Sequence, residues 1–223
     1  MTAELAFPIG LSLRVASLAM LAVLPLGIAL AHLQARRRYP LRRAVDVLIL
    51  LPLVLPPSVV GFLLVLLLGR RGPLGRLLES GFDVRLVFSP AAAVIASAVV
   101  ALPLLVKTAQ PAFEAVPREL EQVGRSLGLG PAAVFFRVTL PSAWRGVVAA
   151  AVLAFARAVG EFGATLMLAG NIPGRTNTMP LEIYAAWQGG DDARALLYVA
   201  VLSAISLAVV WLAARLGPGE LAR

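Results

Sequence analysis

Apolar residues gather into five long runs, at about 11–34, 45–69, 88–106, 146–170 and 195–214. Wound as helices at 1.5 Å per residue, each spans roughly 30 Å, the thickness of a bilayer's hydrocarbon core. The pattern predicts an all-α polytopic membrane protein with about five transmembrane helices in one domain, 1–223. Between the third and fourth runs lies the one long hydrophilic stretch, 107–145. A shorter connector, 171–194, joins the fourth run to the fifth.

The first run contains a small-x-small pattern, Ala29-Leu30-Ala31, as a cleaved leader would. Residues 1–10 nevertheless hold no Lys or Arg, and the basic cluster Arg36, Arg37, Arg38, Arg42 and Arg43 follows the run. That order suits a retained span with its N-terminus outside. The segments then placed inside carry twelve basic residues against seven outside, so the C-terminus is expected in the cytoplasm. Arg70 and Arg71, at the outer end of the second run, oppose this bias, and Glu79 and Asp83 in the same loop soften the anomaly.

Pro52, Pro56, Pro57 and Gly61 interrupt the second run. Each proline removes a helical hydrogen bond, and broken backbone at membrane depth is tolerated only against protein or a water-filled cavity. The run either lines a pathway or subunit contact, or is a kinked helix packed inside the bundle.

Composition narrows the function. Of 223 residues, 60% are hydrophobic and 14% charged, and mean hydropathy is +0.88. There is no Cys and a single His, which excludes disulfide scaffolds and Cys- or His-rich metal sites. The net charge of +8 is expected from basic residues in cytoplasmic loops rather than from nucleic-acid binding. The sole lysine, Lys107, has no glycine-rich loop before it, so the chain has no phosphate loop of its own.

Within 107–145, Pro117 suits a helix start, Glu119 and Glu121 fall in the first turn, and Arg125 falls near the end. Gly128 suits a left-handed C-terminal position. Leu120, Val123 and Leu127 form one apolar stripe. Gly130-Pro131 predicts a second short helix, 132–138, and Leu140-Pro141 a restart into the fourth span. This helix-glycine-helix unit is either a contact for a cytoplasmic partner or an amphipathic hairpin lying on its own bundle or on lipid.

The spacing Gln122-Val123-Gly124-x-x-x-Gly128, nine residues, then Val138-x-Leu140-Pro141 resembles the E-A-A-x-x-x-G-x₉-I-x-L-P loop of ABC-importer permeases. Gln122, Val123 and Gly124 stand where Glu-Ala-Ala is usual, and Glu121 is displaced by one. Further stretches are similar to molybdate permease subunits: Leu50 to Pro57, Gly69 to Gly72, Leu153 to Thr165 with its Gly-Glu-Phe-Gly-Ala-Thr, and Asn171-Ile172-Pro173-Gly174. The resemblance implies the smaller, type I permease fold in a bacterial inner membrane. It implies import of molybdate and possible acceptance of tungstate, with sulfate or thiosulfate as the alternative cargo. It implies a homodimer working with two ATP-binding subunits and an extracytoplasmic molybdate-binding protein. ATP and Mg would sit on the ATPase, with no cofactor on this chain and no enzymatic activity of its own.

By the same resemblance Glu121, Gln122, Val123, Gly124, Arg125, Leu127, Gly128, Leu129, Gly130, Leu140 and Pro141 form the ATPase-coupling loop. Arg157, Glu161, Phe162 and Gly163 belong to the pathway or gate. Asn171, Pro173, Gly174 and Arg175 are expected to touch the binding protein, unless 171–194 is a solvated connector. Arg157 and Glu161, one turn apart, either offer charge to a passing dianion or form an internal salt bridge that fixes packing. An ion-coupled secondary transporter would need intramembrane acids and inverted repeats, and Glu161 is the only acid well inside a run, Asp46 being at the edge of its own. A membrane enzyme would need a catalytic set that these residues do not compose.

Overall fold

The computed structural model of the chain describes residues 2–37 and 39–216. Arg38 of the basic cluster and the C-terminal Arg223 lie outside the described residues. As the hydropathy pattern predicts, the described residues are helical, with no strand among them. Helix α1 (Thr2–Arg36) leads through a short turn to α2 (Arg42–Val54) and α3 (Pro57–Leu68). Helix α4 (Pro73–Phe82) precedes the long α5 (Pro90–Glu114), and α6 (Arg118–Ser126) follows it. Then come α7 (Pro131–Val134), a π-turn (Phe135–Thr139) and α8 (Leu140–Val159). Helices α9 (Gly163–Ala169), α10 (Met179–Gln188) and α11 (Asp192–Leu216) complete the chain. Four helical stretches are long and apolar enough to cross a membrane, or five if the bent pair α2–α3 counts as one span.

The core is built where α1, α5 and α8 meet. Ala16, Ala31, Ala101, Ala109, Ala150 and Ala154 are fully buried there, around Leu105 and Phe113. Small side chains let membrane helices approach closely, which compensates for the missing hydrophobic drive between helices in lipid. A second cluster joins α3 and α9 to α1 and α5 through Val15, Val60, Ala92, Ala96, Ala164 and Leu168.

The second run is broken at its prolines, as the sequence predicts, and several other features differ from the sequence expectation. The second apolar run turns by 113° between α2 and α3, at the Leu55-Pro56-Pro57 break. It is not packed inside the single-chain bundle: Val47, Leu48, Val54, Phe62 and Leu66 are at least half exposed. The run 146–170 is not one helix, because α8 stops at Val159 and the chain restarts at Gly163. The expected loop 107–145 is largely helical, since α5 continues to Glu114 and the helix leading into the fourth span begins at Pro131. Leu140-Pro141 therefore restarts nothing. The Leu140 N–H bonds the Phe135 carbonyl five residues back, and this wide turn absorbs a proline that cannot donate.

The connector 171–194 differs as well. Pro173, Gly174 and Arg175 are exposed, as are Tyr184 and the stretch from Trp187 to Ala193, whereas Thr176 to Glu182 are buried. The Met179 N–H donates to Ser12 Oγ at 2.7 Å, and the Tyr198 hydroxyl to the Leu5 carbonyl at 3.1 Å. Glu182 accepts from Asn177 at 3.0 Å and pairs with Arg194 at 2.6 Å. The connector is thus bolted to the N-terminal part of α1. In the connection between α3 and α5, Arg70 pairs with Glu79 at 3.1 Å and Arg85 with Glu79 at 3.0 Å, which gives Arg70 a local counter-charge.

Candidate coupling helix and the broken spans

Helix α6 is amphipathic, and its polar side faces in. Glu121 and Gly124 are buried, while Leu120, Val123 and Leu127 are 46%, 57% and 78% exposed. The apolar stripe does not lie on its own bundle. The reason is electrostatic: Glu121 Oε1 meets Arg36 Nε at 3.1 Å and accepts from Thr139 Oγ1 at 3.0 Å. A carboxylate held by a buried guanidinium and a hydroxyl fixes which side of the helix turns inward. Gly124 lies directly against the following helix: a Cβ there would make ordinary van der Waals contact with Val134 Cγ2 at 3.4 Å and Val138 Cγ2 at 3.5 Å.

The helix ends at Leu127, and Gly128 takes the left-handed conformation with φ +83°. The Gly128 N–H bonds the Arg125 carbonyl at 2.9 Å, and the Leu129 N–H bonds the Gly124 carbonyl at 3.1 Å, which reverses the chain. Gly130 then precedes Pro131 at the first position of α7. Gln122, Arg125 and Gly130 are exposed on this unit and Leu129 is half-buried; Leu140 and Pro141 sit after the π-turn, at the start of α8. Arg125 approaches Glu121 Oε2 at 3.5 Å.

The gap between α8 and α9 holds the Arg157–Glu161 pair, Nη1 to Oε2 at 2.8 Å. Arg157 lies in the last turn of α8, and Glu161 Oε1 accepts the Ala164 N–H of α9 at 2.8 Å. Each charge therefore complements the dipole of the helix end it sits on. Gly163 starts α9 directly on α3: a Cβ there would be 2.8 Å from Pro57 Cβ. A Cβ on Gly61 of α3 would be 2.7 Å from Met167 Cβ and 2.9 Å from Ala164 Cα. The two interrupted spans thus pack on each other at small residues. Phe162 lies against Tyr184, ring centroids 5.4 Å apart.

Near the N-terminal end of α1, Asn171 is half-buried and donates to the Leu181 carbonyl at 3.4 Å. Gly174 and Arg175 line an open groove of about 740 Å³ with Arg14 and apolar residues of α1 and α5. Three residues of these sites escape sequence reading. Arg36 is hidden in a basic cluster, Thr139 in the Val-Thr-Leu-Pro run, and Glu182 in a connector that reads as solvated. A buried acid paired over such a distance in the chain leaves no spacing to read.

A long α1, an interrupted second span and a helix-glycine-helix unit on one end define the membrane domain of a type I ABC importer. A chain of the MetNI methionine ABC transporter, in an inward-facing conformation, shares the fold with a TM-score of 0.69 over 97% of this chain and 98% of that one, at 18% identity. Residues 23–220 match the model of the binding-protein-dependent transport system inner membrane components, and the chain belongs to that family. Among relatives, the molybdenum transport system permease protein ModB of Escherichia coli strain K12 is 46% identical over 208 residues, 91% of each chain. The ModB protein of Haemophilus influenzae is 44% identical over 223 residues, covering 96% of this chain and 97% of its own.

Proposed function

We propose that this chain is the membrane subunit of an ATP-driven molybdate importer, accepting tungstate as well. It works as a homodimer with two ATP-binding subunits and receives cargo from an extracytoplasmic molybdate-binding protein. Its N-terminus lies outside and its C-terminus in the cytoplasm. ATP and Mg bind the partner ATPase, and the chain itself supplies the pathway.

The observation that carries the coupling is the outward apolar stripe of α6. Three large side chains exposed on a hairpin whose polar side is locked inward are what a protein cleft, rather than water, would cover. The cargo is supported by the molybdenum transport relatives, which cover nearly the whole chain. Specificity between oxyanions is left largely to the binding protein, because a pathway that held a dianion tightly would retain it.

Two experiments test this. A tagged chain should copurify with an ATP-binding subunit, and Val123→Asp with Leu127→Asp should lose that partner while remaining in the membrane. Deleting the gene should abolish molybdoenzyme activity at limiting molybdate, with rescue by high external molybdate. Unchanged molybdoenzyme activity together with a sulfate requirement would assign the cargo to the sulfate class instead.

A further inference from the structure

Helix α6 is joined in sequence to α5 and α7, yet its buried acid is held from elsewhere. Arg36, the last residue of α1, reaches both ends of the α5–α6 junction. Its Nη2 donates to the Val116 carbonyl at 2.6 Å, and its Nε pairs with Glu121 Oε1 at 3.1 Å. The two side chains are 8% and 10% exposed. Thr139, fully buried in the π-turn, donates to the same carboxylate oxygen. One guanidinium thus joins the end of α1, the start of α6 and, through Glu121, the turn leading into α8. The turn after α1 is held as well, by Arg42 Nη2 donating to the Gln34 carbonyl at 2.6 Å.

We propose that Arg36 is a positioning residue that makes α6 and the cytoplasmic half of α1 one rigid body, so that the force delivered to α6 moves α1 directly. This rests on the reading of α6 as the ATPase contact. Nη2 donates a directed hydrogen bond to the Val116 carbonyl, and the Nε contact with Glu121 is a charge pair, so the rigid planar guanidinium is held by one directed bond and one ionic contact. A buried carboxylate stripped of its counter-charge is strongly disfavoured, so the joint holds or fails as a unit instead of stretching. Helix α1 is 35 residues long, and its far end carries the Ser12–Met179 bond to the outer connector and the Leu5–Tyr198 bond to α11. The joint therefore places the cytoplasmic hairpin and the outer connector on the same rod. Glu121 is correspondingly turned away from the ATPase, which explains why an acid one residue out of the usual loop position is retained inside.

The chain has no cysteine, so introduced ones are unique labelling sites. Spin labels at Leu26→Cys on α1 and Glu119→Cys on α6, both exposed, report the α1–α6 distance in the complex with its ATPase. The expected result is one distance distribution, the same without nucleotide and with ATP trapped. In Arg36→Gln/Glu121→Gln, which leaves no buried charge unpaired, the distribution should differ between the two states. Molybdate uptake per ATP hydrolysed should fall about tenfold. A merely structural role would lower the yield of complex and leave uptake per ATP unchanged. A wild-type distance that shifts on ATP trapping, or a double variant with wild-type distances and uptake per ATP, overturns the tie. A wild-type chain that captures no ATP-binding subunit instead removes the coupling reading, and the tie with it.

Discussion

The Arg157–Glu161 pair makes an unequal prediction for its two halves. Glu161 is 1% exposed at its side chain and Arg157 is 29% exposed. Arg157→Gln strands a carboxylate in the interior with one remaining partner, the Ala164 N–H. Breaking a buried pair in this way costs about 3–5 kcal/mol. Glu161→Gln is milder, about 1–3 kcal/mol, because the amide oxygen still caps α9 and the part-exposed arginine finds other acceptors. Removing both charges leaves a cap and no orphan, so the double variant should lie within about 2 kcal/mol of wild type. Summed, the two single losses should then exceed the double by at least about 2 kcal/mol. Unfolding of the purified protein in detergent, followed by Trp144, Trp187 and Trp211 fluorescence, measures all four corners of the cycle. Additive losses, or Glu161→Gln as the costlier change, would refute the reasoning. If both single variants were stable and ATP-hydrolysing but only oxyanion passage was lost in Arg157→Gln, the arginine would be an anion contact.

Three further outcomes are expected. Gly128→Val should leave the chain in the membrane but reduce transport severely, since a β-branched residue at φ +83° is strained by about 1–2 kcal/mol or more, although nothing lies within 4 Å of its Cβ; normal uptake with normal ATPase binding would contradict it. Gly61→Val should destabilise the protein by about 1–3 kcal/mol by forcing α3 off Ala164 and Met167, read as a lower unfolding midpoint. The third concerns Glu79, whose hydrogen bond from Arg70, followed by the charges of Arg70 and Arg85, holds its carboxyl below the usual 4.5. A lowered value means the ordering of that loop is complete above pH 4.5 and is lost as pH falls through the lowered value. Limited proteolysis of the 70–87 loop should therefore rise in acid in the wild type, and Glu79→Gln should be cleaved alike at both pH values.

The stripe Leu120, Val123 and Leu127 and the turn at Gly128 are legible in the sequence because they depend on local periodicity and on a single backbone conformation. The direction of the stripe is not legible, because it is set by Arg36, 85 positions before Glu121. The break at Pro56-Pro57 is announced by its prolines, but the 113° turn arises from α3 packing on α9 through Gly61 and Gly163. The second break, at Gly160 to Phe162, is masked by apolar composition: a hydropathy window cannot tell one span from a helix followed by a half-helix. Helix α4 lies in what reads as an outer loop, although Pro73 with Leu74, Leu77 and Leu78 carries a helical signal. Leu140-Pro141 misleads in the opposite sense, since a proline that ordinarily ends a helix sits here beyond a wide turn that accommodates it.

That wide turn makes the aim of the hairpin a matter of counting. Successive residues in an α-helix are rotated by about 100° about its axis, and Phe135–Thr139 holds one residue more than regular winding would use. Deleting one residue there would restore a regular helix from Pro131 to Val159 and leave the membrane-embedded part untouched. Everything before the deletion would swing by about 100°. Thr139 or its replacement would lose register with Glu121, and the stripe on α6 would be turned from its present direction. The segment 131–140 is therefore intolerant of length change. Substitutions there are constrained by size and shape, whereas insertions and deletions are constrained by phase.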